Sequence, residues 1–276
     1  MVAALLAVVC LSSPASASRL EGVPIIGGGD GQVLTKLFVP RAAAASLSYA
    51  DEVLADSPWG YYKLDEASGS NAADSSGNGR NATYVGGITY SSTPIITGSS
   101  KSVWMDGVDG TGVKVSSTQW MASANASVEG WFYPWDVSAT GNGHWFWAET
   151  SGGRGSVGYG YTASGDLWVY GNVAGDKRNF FTGTISANTA YHIVITFSSF
   201  QLTSGVATLY VNGVADATTF TGQFSNGGEA TIPFGFGLDH SAWGTATKGA
   251  VDDVAIYTSV LSATRVLAHY NARNTP

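Results

Sequence analysis

Sulfur chemistry is nearly absent from this 276-residue chain, whose one cysteine is Cys10. A single thiol excludes an internal disulfide framework and any zinc site built on cysteines. Charge is scarce too: Asp, Glu, Lys and Arg make up 12% of the residues, against roughly 25% in an average globular chain. What charge there is leans acidic, with a formal net charge of −7. Such a surface repels phosphate, which excludes a nucleic-acid partner. The four histidines, His144, His192, His240 and His269, are scattered without metal-ligand spacing. Runs of Leu, Glu and Lys that would build a coiled coil or helical bundle are missing. The wholly apolar run at residues 2–11 is too short to span a bilayer.

Glycine and aromatics are abundant, with Gly 36, Trp 9, Tyr 13 and Phe 11. Hydrophobic residues at 44% supply enough apolar mass to exclude disorder. The chain divides in two. Residues 1–48 form an arm containing the apolar run 2–11 and a Gly-rich linker at 27–31. The apolar run and the small residues Ala15-Ser16-Ala17 fit a secretory signal, but no Lys or Arg precedes the run. The alternative is a retained arm buried against a partner. Residues 49–276 form the second unit. Tyr49–Ala55 reads as a short helix stopped by Pro58. From Trp59 onward, short segments of period two are separated by Gly, Asn, Asp and Ser clusters. Strands are expected at 60–64, 82–85, 102–105, 112–115, 126–133, 144–149, 156–161, 166–171, 179–182, 190–197, 207–211, 231–238 and 250–257. Asn212-Gly213 is a two-residue hairpin turn. Ser262 caps a final helix over 263–271. The expected fold class is all-β: a two-sheet antiparallel jelly-roll sandwich with an extended N-terminal arm and a short C-terminal helix.

The second unit resembles the laminin G-like jelly roll of the concanavalin A-like lectin/glucanase superfamily. The landmarks run in order: Trp59-Gly60-Tyr61-Tyr62-Lys63-Leu64-Asp65-Glu66, Asp74 to Gly79, Val128-Glu129-Gly130-Trp131-Phe132, Tyr191-His192-Ile193-Val194, Leu209 to Gly213, and Asp252 to Tyr257 with Leu261-Ser262 and His269-Tyr270. The opening YADEVLADSPWGYYKLDE is also similar to stretches of bacteriophage minor tail proteins and capsid appendages. The first resemblance implies two curved antiparallel sheets. Hydrolases of the superfamily carry an E-x-D-x-x-E strand, and none of the six glutamates here stands in that pattern. No G-x-S-x-G elbow is present either, so no catalytic activity is expected.

Two kinds of site are expected. Asp74 and Asn78 lie in a Gly- and Ser-rich loop, and Asp252 shares strand parity with Val254 and Ile256 and so should point inward. An inward carboxylate must be paired or bound to a cation, and Asp74, Asn78 and Asp252 are the candidate Ca²⁺ ligands. The competing reading has Asp74 closing an Asx-turn and Asp252 accepting backbone N–H bonds. Sugars stack on exposed aromatic rings. Alternation puts Trp145 and Trp147 on one face of a strand, and Trp168 and Tyr170 opposite Leu167 and Val169. With Trp243 in a nearby polar loop, these five are the candidate glycan contacts. Trp131 and Trp104 are assigned to the core, and Tyr191 and His192 to structural roles. The expected function is a non-enzymatic bacteriophage virion surface protein, a minor tail protein or capsid decoration. Its arm would attach it to other virion proteins, and the jelly roll would bind host-surface carbohydrate as a homo-oligomer. The alternatives are a secreted carbohydrate-binding module with a cleaved signal peptide and a purely structural decoration.

Overall fold

The computed structural model describes residues 46–91, 93–108, 110–115, 123–138, 143–150, 153–159, 164–171, 177–199, 202–222, 234–237 and 247–275. The arm with its apolar run and Gly-rich linker lies outside these residues. The described chain opens with α1 (Tyr49–Ala55), followed by β1 (Gly60–Tyr62), β2 (Asn71–Ala72), β3 (Ala82–Val85), β4 (Thr89–Ser91), β5 (Ser102–Asp106), β6 (Gly112–Val115), β7 (Ala126–Pro134) and β8 (Gly143–Thr150). Next come β9 (Gly153–Tyr159), β10 (Asp166–Gly171), β11 (Lys177–Thr184), β12 (Tyr191–Ser198), β13 (Val206–Val211), β14 (Val214–Thr221), β15 (Phe234–Phe236), β16 (Lys248–Tyr257) and α2 (Ala263–Ala272).

The strands form two antiparallel sheets. The first runs β14-β13-β12-β7-β16-β5-β4, with β1 also paired to β16; the second runs β11-β10-β9-β8-β15-β6-β3-β2. Alternation along each strand sends one set of side chains into the space between the sheets. Val103, Met105, Val128, Phe132, Ile193, Ile195, Val251 and Ile256 of the first sheet meet Val113, Val115, Phe146, Leu167, Val169 and Phe236 of the second there. The opposite face of the first sheet is covered by the two helices. Trp131, Val194, Tyr210, Ala255 and Tyr257 pack there against Tyr49 and Val53 of α1 and Val266 and Ala272 of α2. Ser48 caps α1 in a reciprocal capping box with Asp51, and Ser262 caps α2. Among the described residues no helix is long and apolar enough to cross a membrane.

Two bulges overturn the simple alternation read from the sequence. In β16 the pairing with β7 shifts between Asp252 and Ala255, and Asp253 takes a left-handed backbone (φ 48°). One residue is thus inserted. Asp252 pairs with Trp131, whereas Val254 and Ile256 belong to the inner core. Asp252 therefore faces outward with Trp131, and the expected inward direction is corrected. In β8 the register shifts between His144 and Phe146. Trp145 occupies the extra position, and both it and Phe146 enter the inner core.

Candidate functional site

Four strands of the first sheet bring Thr89, Trp104, Ala250 and Tyr133 into one row across β4, β5, β16 and β7. Val103, Phe132 and Val251 face the core, so this row faces the other way. Ala250 is small and stands between two large rings, which leaves a hollow over its methyl group. Gly249 lets β16 approach closely here, since a Cβ on it would sit 2.3 Å from the Tyr133 carbonyl oxygen. Trp135, just past β7, donates its N–H to the Lys248 carbonyl (2.9 Å). Its ring meets Trp104 edge-on, with centroids 5.6 Å apart.

The hollow is a cavity of about 430 Å³ lined by Trp104, Tyr133, Trp135 and Ala250, with Ser91, Thr93 and Ser102 on its polar side. That volume falls in the ~300–1,000 Å³ range of small-molecule sites. Trp135 remains 51% exposed, a large apolar ring left to solvent. Ser102 Oγ donates to the Thr93 carbonyl (2.8 Å), and Ser91 Oγ accepts from the Thr93 N–H (3.0 Å), so these hydroxyls are fixed in place. The lining carries aromatic rings, small apolar groups and hydroxyls. It can hold a ligand with one apolar and one hydroxylated face, and no carboxylate or histidine stands among the described residues that line it.

The residues singled out from sequence lie elsewhere. Trp145 is in the core and 1% exposed. Trp168 does face away from Leu167 and Val169, as alternation demands, yet it is also 1% exposed and packs edge-on against His144. Neither presents a ring to a ligand, which corrects the expectation for both. Trp147 and Tyr170 lie in β8 and β10, but their side chains fall outside the described structure, as does all of Trp243. Conversely, Trp104 is only half-buried and lines the cavity, so its assignment to the core is corrected. Trp135 was not singled out at all. The signal available was a Trp directly after the Pro that ends a strand, where a side chain leaves the sheet.

The candidate metal ligands are satisfied by protein groups. Asp74 accepts backbone N–H bonds from Tyr61 (3.0 Å), Ser76 (2.9 Å) and Arg80 (2.8 Å). Burial alone would raise its pKa, but these bonds hold the carboxyl below its ordinary value. Asn78 donates through Nδ2 to the carbonyls of Pro58 (3.1 Å) and Trp59 (3.3 Å). Asp252 accepts from the Ile95 N–H and Ser99 Oγ, each at 3.0 Å. Its partners are distinct from those of Asp74 and Asn78. Among the described residues no group of three or more His, Cys, Asp or Glu is arranged to hold a metal ion. Burial, with the neighbouring charge of Asp253, pushes Asp252 well up; burial likewise raises Asp253 to about 7, opposed by the Tyr61 hydroxyl.

A second polar cluster lies sealed beneath the helices. Glu129 is fully buried and accepts from His269 Nδ1 (2.9 Å), His192 Nε2 (3.2 Å) and the Tyr257 hydroxyl. Burial alone would raise the Glu129 pKa, but the His269 charge and the two histidine hydrogen bonds hold it far below the ordinary value. His269 also reaches Asp56 through Nε2 (3.0 Å). Burial opposes its charge, yet Glu129 and Asp56 prevail and its pKa is raised. Both ring nitrogens then donate, as an imidazolium. Burial lowers His192, which is therefore neutral, and its buried Nδ1 has no partner. Arg265 bonds Asp56 (2.8 Å) and Glu52 (2.6 Å), tying α2 to α1. With no exposure at Glu129, His192 or His269, this cluster holds helices to the sheet, in keeping with the structural role read for His192.

Residues 106–267 match the family model of the concanavalin A-like lectin/glucanases superfamily. No curated protein sequence matches the chain. Among solved structures, domain 4 of AbnA, an extracellular arabinanase of Geobacillus stearothermophilus in complex with arabinotriose, is 21% identical. The match covers 76% of this chain and 97% of that one, with a TM-score of 0.58. The binding domain of Paraclostridial Mosquitocidal Protein 1 is 16% identical over 79% of this chain and 53% of that one, with a TM-score of 0.60. Trypanosoma rangeli sialidase is 16% identical over 80% of this chain and 34% of that one, with a TM-score of 0.57. The chain thus spans about half of the toxin binding domain and a third of the sialidase. At these identities the likeness establishes the fold alone.

Proposed function

The chain belongs to the concanavalin A-like lectin/glucanases superfamily, and on that premise we propose that it is a carbohydrate-binding protein without catalytic activity. The observation that carries this reading is the Trp104–Ala250–Tyr133 row with Trp135 at its rim. A pyranose presents C–H bonds on one face and hydroxyls at its edge. The aromatic walls suit the first, and Ser91, Thr93 and Ser102 suit the second. The absence of carboxylates among the described residues of this lining supports binding rather than hydrolysis, which needs a pair of them. That two solved structures of similar fold are binding domains of toxins agrees with this reading.

The setting we propose is the surface of a bacteriophage particle. Residues 1–48 would join the protein to other virion proteins, and several copies would engage host-surface glycan together. Single contacts in one pocket are weak, and multivalent display raises avidity by orders of magnitude. The support is the similarity of residues 49–66 to openings found in tail and capsid appendage proteins. A secreted module is the second reading, favoured by the apolar run 2–11 and the small residues after it.

The test is a glycan array probed with the full chain in multivalent form. Trp135→Ala removes the rim ring, and Ala250→Leu fills the hollow. Each is expected to weaken binding by about tenfold or more, with the melting temperature nearly unchanged for the exposed Trp135. Retention of full binding by both variants, or no binding to any glycan, would overturn the reading.

A further inference from the structure

Beside the aromatic pocket is a smaller cavity of about 170 Å³, walled by Trp131, Asn212, Tyr270, Arg273 and Asn274. Ile95 and Ala190 line both cavities, so the two share a wall on one face of the sheet. The smaller lies below the ~300 Å³ of a typical whole-ligand site and suits one substituent.

Its chemistry is that of hydrogen-bond donors. Arg273 lies over the Tyr270 ring, 3.9 Å from the centroid, and its Nη1 donates to the Tyr270 carbonyl (2.9 Å). Among the described residues it forms no ion pair with a carboxylate. Trp131 Nε1 is buried with no hydrogen-bond partner, a donor whose loss of water nothing in the protein offsets. Asn212 turns its side-chain oxygen to the His192 N–H (3.0 Å), which leaves its amide NH₂ to donate. No Asp or Glu stands among the described residues that line the cavity. The C-terminal end of α2 would by itself disfavour an anion. Arg273 stands at that end as its C-cap and supplies the opposite charge.

We propose that this cavity binds the anionic substituent, a carboxylate or sulfate, of an acidic glycan whose ring occupies the aromatic pocket. An unpaired guanidinium with two neutral donors is the arrangement that holds a planar carboxylate or a sulfate. The inference rests on the carbohydrate-binding reading and adds the charge of the ligand. The net charge of −7 would repel acidic glycans in general, so a preference for them requires a local site.

The full chain and Arg273→Gln are compared on an array of neutral, sialylated, uronate-bearing and sulfated glycans. The wild type is expected to favour acidic glycans, with the sialylated and sulfated arms separating carboxylate from sulfate. Arg273→Gln should weaken these about tenfold or more while leaving neutral analogues and the melting temperature unchanged. The Trp131 indole N–H resonance should move on titration with the strongest acidic hit, and not in the variant. Equal binding of neutral and acidic glycans, or undiminished acidic binding by Arg273→Gln, overturns the anion cavity and leaves the carbohydrate reading intact. No binding to any glycan overturns both.

Discussion

Glu129 keeps its negative charge under two helices because His269 meets it with a positive one and His192 and Tyr257 add hydrogen bonds. His269→Ala removes the cation and strands a buried carboxylate. The expected cost is about 3–5 kcal/mol, read by denaturant unfolding at neutral pH; a loss below about 1 kcal/mol would mean Glu129 is not held charged by His269. The residues of this cluster stand at positions 56, 129, 192, 257, 265 and 269, so only the folded chain brings them together. What the sequence did show was that His192 and His269 fall inside family landmarks. The same distance along the chain hid the pocket: Trp104 and Trp135 each look like ordinary sandwich tryptophans until β5 and β7 are both paired to β16.

Strand parity is reliable only where no residue is inserted. The bulge at Asp253 lets Val251 and Val254, three positions apart, both face the core. Inserting one further residue after Asp253 would put every side chain on one side of the bulge on the wrong face, exposing Val254 and Ile256 or burying Asp252 inside the sandwich. That variant is expected to be insoluble or to lack a cooperative thermal transition by circular dichroism, and a transition like that of the parent chain would count against the register. The helices were legible to within a residue because caps and breakers are local signals: Pro58 after α1, Ser262 ahead of α2. β14 was not, although its turn at Asn212-Gly213 was. Val214–Thr221 has few apolar residues and a half-exposed burial pattern. It is a strand because the turn returns it alongside β13, not because its own sequence demands it.

Across the whole molecule, buried titratable groups set how stability follows pH. His269 is raised in the fold, so its contribution is complete below the unfolded value of about 6.5 and is lost as pH rises past it. Asp253, raised to about 7, acts in the same direction, since an acid held protonated by burial destabilises once it must ionise. Glu129 is lowered and acts oppositely: its contribution is present above about 4.5 and is lost in acid. The melting temperature should therefore peak near pH 4–5 and fall as pH rises through about 7, with His269 adding to the fall above about 6.5. Asp253→Asn keeps an acceptor for the Tyr61 hydroxyl and a residue that tolerates the left-handed backbone. It should flatten the fall between about pH 4 and 7; an unchanged profile would remove Asp253 from the account. The adjacency of α1 and α2 has a different reach. Arg265 joins the first helix of this unit to the last, and the Thr97 N–H, in a loop beside Tyr49, bonds the Arg273 carbonyl. Entry and exit of the chain therefore share one doorway, and a unit built this way can be spliced into a single surface loop of another protein without stretching its host.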